Sequence, residues 1–161
     1  MSSRWVEMPA HVTERPGGLP AGFRAAGVAC GLKPSGAPDL GLLVSDAPDT
    51  VSAARFTRSG VLAAPVLLTM ERCRLAAIRA VVANAGNANA ATGRRGLEDA
   101  ARMQGAGAMA AGVHEDQVAV ASTGVIGVHL DTEKVIRGIS DARRAQIDAA
   151  VAERLGGEPR G

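Results

Sequence analysis

Aromatic residues are nearly absent from this chain of 161 residues, which contains one Trp, two Phe and no Tyr. Aromatic side chains normally dominate the buried area of a protein core. Hydrophobic residues nevertheless make up 47% of the sequence and charged residues 21%, which is the balance of a globular domain rather than a disordered chain. We therefore expect one domain, or two small ones, with an aliphatic core whose layers pack closely.

The charge balance argues against a nucleic-acid surface. Eighteen basic residues are offset by sixteen acidic ones, which leaves a formal net charge of +2. The basic residues are scattered along the chain, and the sequence lacks aromatic neighbours on which single-stranded bases would stack. We expect no nucleic acid among the partners of this protein.

The sequence also lacks the usual signals of export, membrane insertion and metal or redox chemistry. Residues 1–9 contain no apolar run of the kind found in secretory signals, and the longest uncharged stretches, 80–93 and 117–130, are too polar to span a membrane. Cys30 and Cys73 form no paired motif, and the three histidines lie far apart. We expect a soluble cytoplasmic protein with no membrane contact, no metal and no cofactor.

Short apolar runs between turn residues predict strands, and apolar residues at helical spacing predict helices. The predicted strands cover residues 27–32, 40–45, 53–57, 76–83 and 117–121. The predicted helices begin near Pro65, cover residues 96–111 up to a stop at Gly112, and begin again near Asp131, a favourable N-cap residue. Strands mixed with at least three helices indicate a layered α/β or α+β domain.

The composition divides the chain into three parts. Residues 1–22 contain several prolines and a Gly-Gly pair, which predict an irregular N-terminal segment. Residues 23–139 carry the predicted α/β domain, and residues 140–161 are predicted to form a helix followed by a polar tail. The apolar stripe of that last helix consists of Ile147, Val151 and Leu155.

One glycine-rich stretch resembles a dinucleotide fingerprint only superficially. Gly105 and Gly107 have the right spacing, but Ala110 occupies the third glycine position. The stretch also lies inside a predicted helix instead of directly after a strand. We interpret these glycines as a place where the helix packs closely on its neighbours.

The first candidate site is the segment VVANAGNANAATG, residues 81–93, in which a strand runs into a loop rich in Asn and Gly. Gly86 can adopt backbone angles closed to other residues, and Asn84, Asn87 and Asn89 can bond to nearby backbone. Such a loop can direct several N–H groups at one anion, for example a substrate carboxylate. The alternative is an Asn-rich turn whose polar groups only satisfy one another.

The second candidate site is the segment ASTGVIG, residues 121–127, where another predicted strand ends in small residues. Thr123 and Gly124 can direct a hydroxyl and a backbone N–H at a common point, which is the chemistry of an oxyanion hole. An ordinary hydroxyl-capped turn is the alternative. Ser122 or Thr123 could also be a nucleophile, but no spacing rule places a histidine beside either as base.

Five ordered segments resemble the ornithine acetyltransferases of arginine biosynthesis over roughly residues 20–139. They are PAGFRAAGVACGLKPSG at 20–36, LLVSDAP at 42–48, FTRSGVLAAPVL at 56–67, VVANAGNANAATG at 81–93 and VASTGVIG at 120–127. The resemblance implies an α-β-β-α layered fold, of which this chain would hold an incomplete part.

The resemblance also implies an activity. Members of the family transfer an acetyl group from N-acetylornithine to glutamate, and some accept acetyl-CoA as donor. They cut themselves before a Thr that becomes the N-terminal nucleophile of a second chain, and the two chains assemble into heterotetramers or larger oligomers. The Thr-Gly pair of the family motif matches Thr123 and Gly124, which implies that these residues form the oxyanion hole.

The sequence departs from the family at the nucleophile. The Ala-Thr-Met-Leu block that carries the nucleophilic Thr is absent, and the similar Leu68-Thr69-Met70 comes before the Asn-rich loop instead of after the Thr-Gly pair. A gene fragment, a separately encoded first chain and a degenerate homologue all fit this pattern. We expect the isolated chain to be inactive. A non-catalytic carboxylate-binding or interaction module and an ordinary structural domain are the alternatives.

Overall fold

The computed structural model describes residues 11, 13 and 18–154 of the chain. Within residues 18–154 the regular elements are four strands, three α-helices and one short 3-10 turn. The strands are β1 (Phe23–Val28), β2 (Leu40–Ser45), β3 (Ala80–Asn87) and β4 (Val118–Val125). The helices are α1 (Ala64–Arg72), α2 (Gly93–Ala111) and α3 (Thr132–Arg154), and the 3-10 turn covers Glu115–Gln117. The predicted mixture of strands and helices is confirmed.

The four strands form one sheet in the order β1-β2-β3-β4. The pairs β1–β2 and β2–β3 are antiparallel, whereas β3 and β4 are parallel. A parallel pair needs a long crossover, and α2 provides it between β3 and β4. The carboxyl ends of β3 and β4 therefore lie side by side at one edge of the sheet.

The helices cover one face of the sheet and enclose an aliphatic core. Fully buried side chains from the strands include Leu42, Val82 and Val118, and they pack against Met103 of α2 and Ile139 of α3. The described core contains no aromatic residue. Phe23 is 39% exposed at the start of β1, so the prediction of an aliphatic core is confirmed.

The opposite face of the sheet carries no helix of the described chain. Alternation along the strands directs Leu43, Val81 and Ala119 to this open face, and the strand register places the three side by side. Leu43 remains 37% exposed. The sheet is therefore half covered, as expected for an incomplete part of a layered α-β-β-α fold.

Two of the predicted strands differ from the structure. Residues 53–57 have no regular secondary structure and pair with no strand of the sheet, so the strand predicted there is wrong. The strand predicted at 27–32 is instead Phe23–Val28. Residues 30–33 turn away from the sheet because their amides bond to the carboxylate of Asp39.

The two strands that end in the candidate sites extend further toward their carboxyl ends than predicted. β3 begins at Ala80 rather than at residue 76 and extends through Asn87, so the prediction of a loop from Asn84 onward is wrong for residues 84–87. β4 likewise continues through Thr123 and Gly124 to Val125. Each polar segment pairs with the other, and this pairing is a tertiary contact that neither segment reveals alone.

The helix boundaries agree with most of the sequence signals. Pro65 lies in the first turn of α1. Gly112 ends α2 in the left-handed conformation, with φ of 70°, and donates its N–H to the carbonyl of Ala108 at 2.9 Å. The N–H of Lys134 donates to the Asp131 carboxylate at 3.2 Å, as an N-cap requires. α2 begins at Gly93, three residues earlier than predicted.

The last helix packs differently from the prediction. α3 is continuous across residue 140, and its buried face is formed by Val135, Ile139, Ala142 and Gln146. Ile147 and Val151, predicted as its apolar stripe, are 45% and 49% exposed. The predicted stripe is wrong because the sheet contacts the helix face that contains Gln146, one residue before the face that contains Ile147 and Val151. Leu155, the polar tail and most of the N-terminal segment 1–22 lie outside the described residues.

None of the helices within residues 18–154 is both long and apolar enough to cross a membrane.

We predict opposite effects for alanine at the two glycines of α2. A Cβ at Gly107 would lie 2.6 Å from Val82 Cγ2 and 3.1 Å from Val118 Cγ1, whereas one at Gly105 would meet only the flexible Glu115 carboxylate at 3.3 Å. Gly107→Ala should destabilise the chain by about 1–2 kcal/mol, because overpacking exceeds the gain in helix propensity. Gly105→Ala should stabilise it by about 0.5–1 kcal/mol. Urea unfolding measures both, and equal stabilisation by the two variants would contradict the packing.

Candidate functional site

The two segments singled out in the sequence meet at the carboxyl ends of β3 and β4. Gly86 lies beside Gly124 in the strand register, and Ala85 lies beside Thr123. Beyond the strands, the N–H of Ala88 donates to the carbonyl of Val125 at 2.9 Å. The two candidate sites are therefore one site, which we call the Thr-Gly edge: residues 84–89 of the first segment and 122–127 of the second.

Gly124 occupies a position that only glycine can fill. Its φ of 134° lies in a region that L side chains rarely adopt. A Cβ there would collide with the backbone carbon of Gly86 and come within 2.6 Å of the N atom of Asn87. The backbones of β3 and β4 thus touch directly at this point.

The strand pairing is irregular at the same place. Asn87 lies opposite both Thr123 and Val125, so the register shifts at the end of the pair. Irregular pairing of this kind, as in a β-bulge, is common next to active sites. Thr123 is exposed, and among the described residues no side-chain hydrogen bond engages its hydroxyl. The structure therefore places an exposed hydroxyl next to a glycine of unusual φ, and the role of this pair as an oxyanion hole stays a prediction.

Ser122 faces the other way and is committed to an internal contact. Its hydroxyl donates to Asn84 Oδ1 at 2.6 Å. The Nδ2 of Asn84 donates in turn to the carbonyl of Asn87 at 2.8 Å. Because the hydroxyl proton of Ser122 is donated to Asn84, this residue is not favoured as a nucleophile.

Asn87 and Asn89 are similarly engaged with protein partners. Asn87 Nδ2 donates to the carbonyls of Val128 and His129 at 3.0 and 3.2 Å, and its Oδ1 accepts the N–H of Asn89 at 2.7 Å. Asn89 is completely buried, and its Nδ2 donates to the carbonyl of Gly96 at 2.8 Å. These amides fasten the loops after β3 and β4 to each other and to α2. Direct substrate contact by Asn84, Asn87 and Asn89 stays a prediction.

Asp39, which the sequence analysis did not single out, is a buried charge whose carbonyl bonds to Ala85 of the Thr-Gly edge at 2.8 Å. It is 2% exposed, and its carboxylate accepts the N–H groups of Cys30, Leu32 and Lys33 at 2.7, 2.6 and 2.8 Å. Burial alone would raise the pKa of Asp39, but these three N–H groups and the Cys30 thiol outweigh it and lower the pKa to about 2. The sequence signal that could have identified Asp39 is its position between a Gly-containing turn and an apolar strand.

The remaining reactive groups do not converge on the edge. Cys30 and Cys73 are free thiols, and burial raises the pKa of both, that of Cys30 to about 11 with the help of the Asp39 carboxylate. Both thiols are therefore protonated at neutral pH. Within the described part of the chain, no group of three or more His, Cys, Asp or Glu residues could hold a metal ion.

Comparison with protein families gives one match that covers most of the chain: the ArgJ family matches residues 24–155. The arginine biosynthesis bifunctional protein ArgJ of Geobacter sulfurreducens is 46% identical over 137 residues, which are 81% of this chain and 35% of that protein. The protein of the same name from Thermus thermophilus is 44% identical over 140 residues, 85% of this chain and 36% of its own length. The chain thus spans about a third of these curated relatives.

Two solved structures share the fold. The ornithine acetyltransferase of Mycobacterium tuberculosis, crystallised with ornithine, superposes with a TM-score of 0.74 at 44% identity, over 78% of this chain and 67% of that one. The arginine biosynthesis bifunctional protein from Bacillus halodurans superposes with a TM-score of 0.69 at 41% identity, over 74% of this chain and 62% of that one.

We predict that Asp39 makes the unfolding free energy of the chain depend on pH in the acidic range. Because its pKa is about 2 in the folded chain and 3.8 as the reference value, its contribution is complete above about pH 4 and is lost as the pH falls through 2. This lowering corresponds to about 2 kcal/mol of unfolding free energy. Urea unfolding between pH 6 and pH 2 should show a loss that is smaller by about 2 kcal/mol in Asp39→Asn. The remaining loss includes the shares of Asp46 and Asp131, whose pKa values are also lowered. The exposed control Asp148→Asn should retain the full loss. Parallel pH curves for all three proteins would contradict it.

Proposed function

Since this chain belongs to the ArgJ family, we propose that it supplies the oxyanion-hole half of an enzyme that transfers an acetyl group from N-acetylornithine to glutamate in arginine biosynthesis. The observation that carries the proposal is the Thr-Gly edge, where Gly124 adopts a φ of 134° beside the exposed Thr123. The proposal includes a cytoplasmic location, acetyl-CoA as a further donor and no bound cofactor.

In the proposed mechanism a Thr hydroxyl on a second segment attacks the acetyl carbonyl of N-acetylornithine. The carbonyl oxygen gains the negative charge, and the Thr123 hydroxyl and the Gly124 N–H donate hydrogen bonds to it. The intermediate collapses, ornithine leaves with the proton taken from the attacking Thr, and the acetyl group remains as an ester. The amine of glutamate then attacks the ester, and N-acetylglutamate is released with the Thr hydroxyl restored.

The rigidity of the edge supports this role. An oxyanion hole is effective when its donors are fixed before the charge develops, so that no reorganisation is needed during the reaction. Direct backbone contact between Gly86 and Gly124, together with the buried amides of Asn84 and Asn87, provides such fixed geometry. In this proposal the asparagines act on the substrate by holding the edge in shape.

The nucleophile is proposed to come from a second segment that packs on the open face of the sheet. The 161 residues contain no Ala-Thr-Met-Leu block, and the chain spans about a third of its curated relatives. The open face carries apolar side chains, among them Leu43, Val81 and Ala119, which border a pocket together with residues 50–54. An apolar face of this kind is the expected docking surface of the missing layer, and the resulting assembly is proposed to be a heterotetramer or larger.

We predict that acetyl transfer requires the edge. The chain should be co-expressed with the nucleophile-bearing segment of a relative, and transfer from N-acetylornithine to glutamate measured by release of ornithine. Thr123→Ala should lower kcat by about 10²–10³, the usual effect of removing one oxyanion-hole donor. Thr57→Ala, an exposed Thr in an irregular segment, is the matched control and should retain full activity. Full activity of Thr123→Ala, or turnover by the chain without the second segment, would overturn the proposal.

We predict that a charge on the open face prevents assembly. Leu43→Asp places a carboxylate where the second segment should exclude water, and burying an unpaired charge is costly. Co-purification with the tagged second segment should be lost, whereas Met109→Asp on the exposed surface of α2, a position 87% exposed, should leave it intact. Circular dichroism checks that both variants fold, and co-purification of Leu43→Asp at the level of the control would contradict the docking surface.

The non-catalytic alternative predicts a different result for the isolated chain and for the assembled complex. If the chain is a carboxylate-binding module, calorimetry should detect glutamate binding to the chain alone without turnover. Asn87→Ala should abolish that binding. Absence of binding by the isolated chain, together with acetyl transfer by the assembled complex, excludes this alternative.

A further inference from the structure

We infer that Asp39 is a positioning residue for the Thr-Gly edge and acts through residues 30–33 and Gly86. The catalytic role of the Thr-Gly edge in this inference rests on the proposed function. The contacts that link Asp39 to the edge are observed in the structure. Asp39 touches neither Thr123 nor Gly124 in the described hydrogen bonds, so its effect on them is indirect.

Asp39 joins three parts of the chain. Its carboxylate gathers the amides of Cys30, Leu32 and Lys33 into one turn. Its own N–H donates to the carbonyl of Val28 at 2.9 Å at the end of β1, and its carbonyl accepts the N–H of Ala85 at 2.8 Å in β3. One residue thus fixes the turn at 30–33 relative to the residue that immediately precedes Gly86.

The turn held by Asp39 rests directly on Gly86. A Cβ at Gly86 would lie 3.2 Å from the carbonyl oxygen of Leu32 and 3.3 Å from Lys33 Cγ. The ammonium of Lys33 donates to the carbonyl of Pro38 at 2.9 Å and braces the turn from outside. Because Gly86 has no side chain, the backbone of Leu32 lies against the backbone of β3.

The same glycine also contacts Gly124. The two glycines are partners in the β3–β4 register, and a Cβ on Gly124 would collide with the backbone of Gly86. Three backbones are therefore stacked without intervening side chains, in the order Leu32, Gly86, Gly124. A displacement of the turn has no flexible group to absorb it and should reach Gly124.

The chain offers a matched control at the other end of the same strand. Asp46 follows β2 directly and forms an ion pair with Arg24 at 2.7 Å, with its side chain 49% exposed. In the described contacts its carboxylate bonds only to Arg24, which lies at the opposite end of β1 from Val28. Asp39→Asn and Asp46→Asn both remove one carboxylate beside β2, but only Asp39→Asn should disturb the Thr-Gly edge.

The experiment is amide NMR of the labelled chain with hydrogen exchange. In Asp39→Asn we expect at least tenfold faster exchange at Leu32 and Lys33, and displaced amide signals for Asn87 and Gly124, with the circular dichroism unchanged. Asp46→Asn should leave Asn87 and Gly124 unmoved. If Leu32 and Lys33 change while Asn87 and Gly124 do not, the inference is overturned. If Asp39→Asn fails to fold, Asp39→Glu replaces it, because the longer carboxylate displaces the turn without removing the charge, and the same criterion applies.

A kinetic measurement on the assembled complex completes the test. Asp39→Asn should lower kcat about tenfold with KM unchanged, because the donors of the edge are displaced while the substrate contacts remain. An unchanged kcat would overturn the inference. If the assembled wild-type complex shows no acetyl transfer, the proposed function fails, while the amide signals of the isolated chain still decide whether Asp39 positions the edge.

Discussion

The parallel pairing of β3 with β4 creates the candidate site, because it brings the polar ends of two strands to one edge of the sheet. α2 makes the pairing possible by carrying the chain back across the sheet, and it packs closely because Gly107 leaves room for Val82 and Val118. At the end of the pair, Gly86 and Gly124 bring the two backbones into contact. Glycines thus permit both the close packing of α2 on the sheet and the direct contact of the two strands.

Buried polar groups give the edge its shape. Asn84, Asn87 and Asn89 bond to backbone and to one another, and the cost of burying them is offset because their principal donors and acceptors have partners. Asp39 likewise holds the neighbouring turn at residues 30–33 in place, and three N–H groups of that turn stabilise its negative charge. In the proposed mechanism the edge stabilises developing charge, a task that favours donors held in place before the reaction.

The open face of the sheet is the structural basis for proposing a second segment. Its helix-covered face buries Leu42, Val44 and Val82, whereas the other face leaves Leu43 and neighbouring apolar residues without a covering layer in the described chain. The same face lies beside Thr123, which is exposed at the end of β4. A second layer on this face would therefore both complete the core and bring new groups close to the Thr-Gly edge.

Local sequence alone determined the aliphatic core, the helix starts near Pro65 and Asp131 and the stop at Gly112, since each depends on residue type and spacing along the chain. It also singled out the Thr123–Gly124 pair, whose role stays a prediction. Tertiary structure decided the rest. β3 and β4 extend into their polar segments because each supplies the other's hydrogen bonds, and Ile147 and Val151 are exposed because the sheet contacts another face of α3. Asp39 gained its role only when folding brought residues 30–33 and Gly86 together, because contacts between distant residues leave no periodic signal in the sequence.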